Sequence, residues 1–131
     1  MAQSFTTFLM FDGVAEQAIE LYTSVFAGAC LESLERFGPG EQGAPGSVKR
    51  AVLLLGDQRF ICFDSPVKHE FTFTPSMSIF VECADADELD MAFTALSSGG
   101  QVLMPLGSYG FSTRFAWISD RFGVSWQLNL A

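Results

Sequence analysis

Residues 5–26, FTTFLMFDGVAEQAIELYTSVF, carry two periodicities back to back, and the switch between them sets the fold class. Residues 5–11 are a short run rich in aromatic and β-branched side chains, which is strand composition, and the run stops at Asp12-Gly13. From there Ala15, Ala18, Ile19, Tyr22, Val25 and Phe26 recur at helical spacing and form one apolar stripe. Glu16, Gln17, Glu20 and Ser24 fill the opposite face. Gly28 is placed to end this helix, because glycine takes the left-handed conformation at little cost. A helix with one apolar stripe needs a sheet to cover, and the following residues supply it. Residues 31–37 read as a strand, and residues 38–46 as a loop by their glycines and prolines. Residues 48–55 and 59–64 read as two further strands turning at Gly56-Asp57.

The second half repeats this order. Residues 76–83 alternate, with Met77, Ile79, Val81 and Cys83 on one side and Ser76, Ser78, Phe80 and Glu82 on the other. Asp85 with Glu88 has the spacing of a capping box, and Leu89, Ala92, Phe93 and Leu96 form the helical stripe behind it. The cluster Asp85, Asp87, Glu88 and Asp90 complements the helix dipole at that start. Gly99-Gly100 closes the helix. Residues 101–104 are a short strand, 105–110 a loop, and 112–118 and 124–130 the last two strands, turning at residues 119–123. The reading is therefore α+β: two tandem βαβββ modules of curved, mixed, mainly antiparallel sheet around a cleft. Module one covers residues 5–64, a joining segment 65–75, and module two 76–131.

Bulk properties narrow the function. Hydrophobic residues make up 49% of the 131, enough to fill a core and to argue against disorder. A net charge of -8 without any Lys/Arg cluster argues against nucleic-acid binding, which needs a basic face. Cys30, Cys62 and Cys83 are odd in number and form no C-x-x-C pair, which suits a reducing compartment. The first residues lack a basic leader, and residues 5–11 are too short to span a bilayer, so a cytoplasmic protein without membrane contact is expected.

Two end motifs carry a family resemblance. The run from Phe8 to Tyr22 with Val25-Phe26, and the ending Asp120-Arg121-Phe122-Gly123-Val124-Ser125-Trp126-Gln127-Leu128, resemble the PhnB-like branch of the vicinal-oxygen-chelate (glyoxalase/bleomycin-resistance) superfamily. Gly46-Ser47-Val48 and Asp85-Ala86-Asp87-Glu88 fit between them. The resemblance covers essentially the whole chain and implies paired modules assembled as a homodimer. Members of this branch have often carried the name 3-demethylubiquinone methyltransferase. This sequence holds no Gly-rich strand-to-helix turn for a cofactor such as S-adenosylmethionine, and it is short for a doubly wound sheet.

Metal-dependent members of the superfamily hold a divalent ion with inward-facing His and Glu from both modules. Carried across, those positions fall at Thr7, near Cys62 or Asp64, at Ser78 and at Gln127. Only Asp64 among them is a good ligand for a hard cation, so no metal cofactor is expected. On the last strand Ser125, Gln127 and Asn129 share one face, while Val124, Trp126, Leu128 and Leu130 share the other. The apolar set belongs under the helix, which turns Gln127 and Ser78 toward the cleft.

The cleft residues expected are Thr7, Asp64, Ser78, Phe111, Arg114 and Gln127. Asp64 reads alternatively as a turn residue beginning Asp64-Ser65-Pro66, and Arg114 as a sheet-surface residue. Phe11, Phe60, Phe63, Phe111, Phe115 and Trp117 are candidates for an aromatic lining, although each taken singly is better read as core. The loop over residues 38–46 reads as a lid or a plain connection. His69, the only histidine, is a mobile-loop base or a solvated linker residue, with the second favoured. The resulting expectation is a binding protein for a small molecule, aromatic or cationic, without the usual metal. The alternatives are a divalent-metal-dependent lyase, isomerase or dioxygenase with an atypical ligand set, or a structural dimer without ligand.

Overall fold

The computed structural model describes residues 1–131. Its elements run β1 (Thr7–Phe11), α1 (Ala15–Val25), β2 (Ala29–Arg36), β3 (Val48–Leu55), β4 (Gln58–Asp64), β5 (Ser78–Glu82), α2 (Ala86–Ser97), β6 (Gln101–Gly107), β7 (Arg114–Ser119) and β8 (Ser125–Leu130). The chain forms two compact units, Met1–Glu70 and Phe71–Ala131. One holds a sheet of order β1-β4-β3-β2, the other a sheet of order β5-β8-β7-β6. In each, the first strand runs parallel to the last, and the remaining pairs are antiparallel. This is the βαβββ order read twice in the sequence, in the α+β class expected.

In the first unit, register decides what the helix covers. Leu9 lies beside Cys62, Phe11 beside Asp64, Ala51 beside Cys62 and Leu53 beside Phe60. All of these are buried, together with Ala15, Ala18, Ile19 and Tyr22 of α1. Burying an aliphatic or aromatic side chain of this size contributes about 1.5–3 kcal/mol each. The helix N-terminus is tied to the same face, since Ala15 N donates to Asp64 Oδ1 at 2.9 Å. Phe8, Met10, Ile61 and Phe63 point the other way; Phe8 and Phe63 are 5.6 Å apart between ring centroids.

The second unit obeys the same rule. Trp126 and Leu128 on β8, with Ala116 and Ile118 on β7, are fully buried against Leu89, Ala92 and Leu96 of α2. Here the helix is capped locally: Glu88 N donates to Asp85 Oδ1 at 2.8 Å, and Ala84 N to Glu88 Oε1 at 2.7 Å. The Asp85 cap read from the sequence is thus in place, while the Glu88 carboxylate reaches the N–H of Ala84, one residue before the cap.

Three boundaries differ from the sequence reading. Gly28 has no left-handed backbone; α1 ends in an extended Phe26, whose N–H returns to Tyr22 O. β6 runs on to Gly107 through Pro105, which its edge position tolerates because no neighbour needs that missing N–H. Strand five is shorter than the alternating run, Ser78–Glu82. The Gly99-Gly100 pair does two separate jobs. Gly99 adopts φ +74, and a Cβ on Gly100 would lie 2.2 Å from Ser119 O, so the helix exit passes directly against the β7 end.

Candidate functional site

The helix-free face of the second sheet carries the polar residues. Ser78 pairs with Ser125, Phe80 with Gln127 and Glu82 with Asn129 across β5 and β8. On β7, Phe115 lies beside Asn129, Trp117 beside Gln127 and Ser119 beside Ser125. Strand alternation therefore collects Ser78, Ser125, Gln127, Trp117, Glu82 and Asn129 on one surface, opposite to the buried Trp126 and Leu128.

These side chains form two hydrogen-bonded groups. In the first, Ser125 Oγ lies 2.7 Å from Ser78 Oγ and accepts from Trp117 Nε1 at 2.9 Å. Gln127 Nε2 donates to Ser78 Oγ at 3.3 Å, and both serine hydroxyls reach Pro75 O. In the second, Asn129 Nδ2 donates to Glu82 Oε2 at 3.0 Å. Aromatic rings border them. Phe115 meets Phe111 edge-on with centroids 4.9 Å apart and Tyr109 at 5.9 Å, while Tyr109 and Phe111 stack at 6.0 Å. Trp117 is half-buried and Phe111 is 64% exposed, so these two rings are reachable by solute, while Phe115 is buried. Neutral donors and acceptors beside aromatic faces can orient and hold a flat organic molecule.

A family model for 3-demethylubiquinone-9 3-methyltransferase matches residues 3–129. The chain belongs to this family. Among solved structures, a PhnB protein from Bacillus cereus is 49% identical, with 98% of this chain and 100% of that one covered and a TM-score of 0.94. Protein PA1353 from Pseudomonas aeruginosa is 28% identical over 98% of both chains, with a TM-score of 0.85. The fosfomycin resistance protein FosX from Mesorhizobium loti shares the fold at 13% identity, covering 100% of this chain and 94% of its own, with a TM-score of 0.65. The fold is thus that of the glyoxalase/bleomycin-resistance proteins. No functionally curated protein is similar enough to count as a relative.

The family name implies S-adenosylmethionine, and the residues present do not fit it. Such a cofactor takes a glycine-rich turn from a parallel strand into a helix whose first N–H groups are free. Here the β1–α1 turn holds Gly13 alone, and the first helical N–H, that of Ala15, is taken by Asp64. Each sheet contains a single parallel pair at its edge.

The divalent metal of the wider superfamily fares no better. Thr7, Cys62 and Asp64 all lie on the helix-covered face of the first sheet. Asp64 is buried, with Oδ1 taken by Ala15 N and Oδ2 by Val48 N, both at 2.9 Å. Burial, reinforced by the Asp64 carboxylate, pushes the Cys62 thiol up to about 12, and burial likewise raises Cys83 to about 11. Both stay protonated at neutral pH, whereas ligation and nucleophilic attack need the thiolate. Ser78 and Gln127 are neutral and bonded to each other. No three His, Cys, Asp or Glu side chains come together in a metal-holding group.

Of the six cleft residues read from the sequence, Ser78 and Gln127 are brought together, and Phe111 joins the aromatic group beside them. Arg114 instead points to the helix side, where Nη2 meets Asp90 Oδ1 at 2.7 Å on α2. Asp64 is occupied by backbone N–H groups, and Thr7 shares its face. Phe11 and Phe60 are core; Phe63 lies on the helix-free face of the first sheet beside Phe8. His69 Nε2 lies 3.0 Å from Ser65 Oγ, a hydroxyl already engaged with the backbone of Val67, which makes a turn rather than a nucleophile–base pair. The residues that the sequence reading left out of the site are Ser125, Trp117 as a hydrogen-bond donor, Glu82 and Asn129. Their alternation was visible; their mutual bonding was not.

Proposed function

We propose that this protein binds a small organic molecule on the helix-free face of its second sheet, without a divalent metal. The observation that supports this most is the Trp117–Ser125–Ser78–Gln127 row: four neutral polar groups linked by hydrogen bonds, bordered by the Tyr109, Phe111 and Phe115 rings. Such a surface supplies orientation through hydrogen bonds and area through the rings, and its row of four holds no group able to bind a divalent cation or polarise an oxygen strongly. The role is that of a binding or sequestering protein rather than a metal-dependent lyase, isomerase or dioxygenase.

Two further elements belong to the same proposal. A homodimer is supported by the amount of exposed apolar surface, including Phe5, Phe8, Phe71, Met77 and Met91. A cytoplasmic setting is supported by three cysteines without any disulfide. No helix is long and apolar enough to cross a membrane.

Trp117 reports on the site, because the second tryptophan, Trp126, is fully buried on the opposite face. In chelator-treated protein, a bound aromatic molecule is expected to shift the emission saturably. Trp117→Phe abolishes that shift and leaves the Trp126 signal. Gln127→Ala weakens binding by about tenfold, the equivalent of one hydrogen bond. A saturable response that needs added Zn, Mn, Fe or Ni, or that survives unchanged in Trp117→Phe, overturns the proposal.

A further inference from the structure

Three residues stand side by side in one cross-strand row of the helix-free face of the second sheet. Phe80 of β5 pairs with Gln127 of β8, and Gln127 pairs with Trp117 of β7. The row is open to solvent: Phe80 is 52% exposed, and Gln127 and Trp117 are half-buried. Neighbouring strands lie about 4.8 Å apart, so Phe80 and Trp117, two strands from each other, rise from backbones about 9.6 Å apart. Stacked aromatic rings prefer centroids about 4.5–7 Å apart, so one further ring fits between these two with a stacking partner on either side. An aliphatic floor would make the slot indifferent to what enters it. The floor here is the Gln127 amide.

The hydrogen bonds of that face decide what the amide has left to offer. Each serine hydroxyl owns one hydrogen. One of the two is used between Ser78 Oγ and Ser125 Oγ, and the other on Pro75 O. Trp117 Nε1 gives its single hydrogen to Ser125 Oγ, and Gln127 Nε2 gives one of its two to Ser78 Oγ. The donors of the row are thereby spent except for the second N–H of Gln127, and Gln127 Oε1 takes part in none of these bonds. An amide with one oxygen and one N–H to spare is matched by an edge that sets a donor beside an acceptor, as when glutamine pairs with a base edge. Glu82, two residues along β5 on the same face, repels an anion.

We propose that Phe80 and Trp117 form a clip for a neutral, planar heterocycle whose edge carries an N–H next to a C=O, as in a cyclic lactam. The ring stacks between the two aromatic side chains and stands edge-on over β8. Its N–H donates to Gln127 Oε1, and its C=O accepts from the spare N–H of Gln127. The assignment rests on the small-molecule reading given above, names the ligand class for the same face and adds Phe80 to the residues that select it.

Three matched probes test it by calorimetry on the chelator-treated full chain. 2(1H)-Quinolinone has the paired edge, 1-methyl-2-quinolinone lacks the N–H, and 4(1H)-quinolinone keeps both groups but on opposite sides of the ring. The first is expected to bind at least about tenfold more tightly than either of the others, the margin of one well-made hydrogen bond. Gln127→Leu brings the three to equal affinity. Phe80→Leu, at an exposed position, weakens all three by about tenfold and leaves their order unchanged. Melting curves establish that each variant is folded. Equal binding of the three by the unaltered protein, a preference that persists in folded Gln127→Leu, or unchanged affinities in folded Phe80→Leu overturns the clip. The indole N–H resonance of Trp117 separates that failure from a wider one. If the probes bind and move it without being distinguished, the small-molecule reading survives and the lactam assignment falls. If none of the three binds or moves it, both fall together.

Discussion

Asp64→Ala is expected to lower the unfolding free energy by about 3–4 kcal/mol and the melting temperature by about 10 °C. The carboxylate is 3% exposed and closes the first unit at two points. Its Oδ1 accepts from Ala15 N at the start of α1, and its Oδ2 from Val48 N at the start of β3, both at 2.9 Å. The N-cap residue of α1, Val14, has no side chain able to cap, so a carboxylate from β4 does that work across 49 residues of sequence. It also sets a negative charge at the positive end of the helix. Removal leaves two buried N–H groups unpaired, which is the expensive direction of a hydrogen-bond deletion. Asp64→Asn keeps one acceptor and turns an NH2 group toward the other donor, so about 2 kcal/mol is expected. Urea denaturation of the two variants measures both. If stability holds but ligand binding disappears, Asp64 is a site residue and the structural role assigned here is wrong.

Asp120→Ala carries an expected cost of about 3–5 kcal/mol, the largest of any single polar substitution in the second unit. Asp120 is buried in the β7–β8 turn. Oδ1 accepts from Phe122 N at 2.9 Å and from Val124 N at 3.1 Å, and Oδ2 accepts from Trp126 Nε1 at 2.9 Å. The turn and the largest core side chain are thus held by one carboxylate. Asp120→Asn retains Oδ1 for the two backbone donors and sets an NH2 against Trp126 Nε1, so it costs about 1–2 kcal/mol. The check is thermal unfolding. Because β8 carries Gln127 and Asn129 on its other face, the alanine variant also weakens binding at the proposed site.

Most of the fold was legible because both units obey periodicity. The strand-to-helix switch at Asp12-Gly13, the cap at Asp85, and the alternation on β5 and β8 each depend on residues near one another in sequence. So does the placing of Ser78 and Gln127 on one face. Other features depend on distant partners. Asp64 looked like a turn residue or a ligand, since nothing local shows that two N–H groups, from Ala15 and Val48, converge on it. Arg114 looked available until α2 brought Asp90 to it. Gly28 had the composition of a helix end, yet Phe26 ends α1 by going extended, so the glycine was not needed there. The amide of Asn129 could be placed on a face from the sequence, but its unpaired oxygen follows only from the position of Glu82.

The most direct measurement is the metal content of the purified protein, by elemental analysis before and after incubation with Zn, Mn, Fe and Ni salts. The site proposed here is built from Ser78, Ser125, Gln127 and Trp117, which are neutral and bonded among themselves, so no stoichiometric metal is expected to be retained in either sample. One metal ion per chain, lost on Gln127→Ala or Asp64→Ala in variants that remain folded, would contradict it and restore the superfamily's metal-assisted chemistry to this protein.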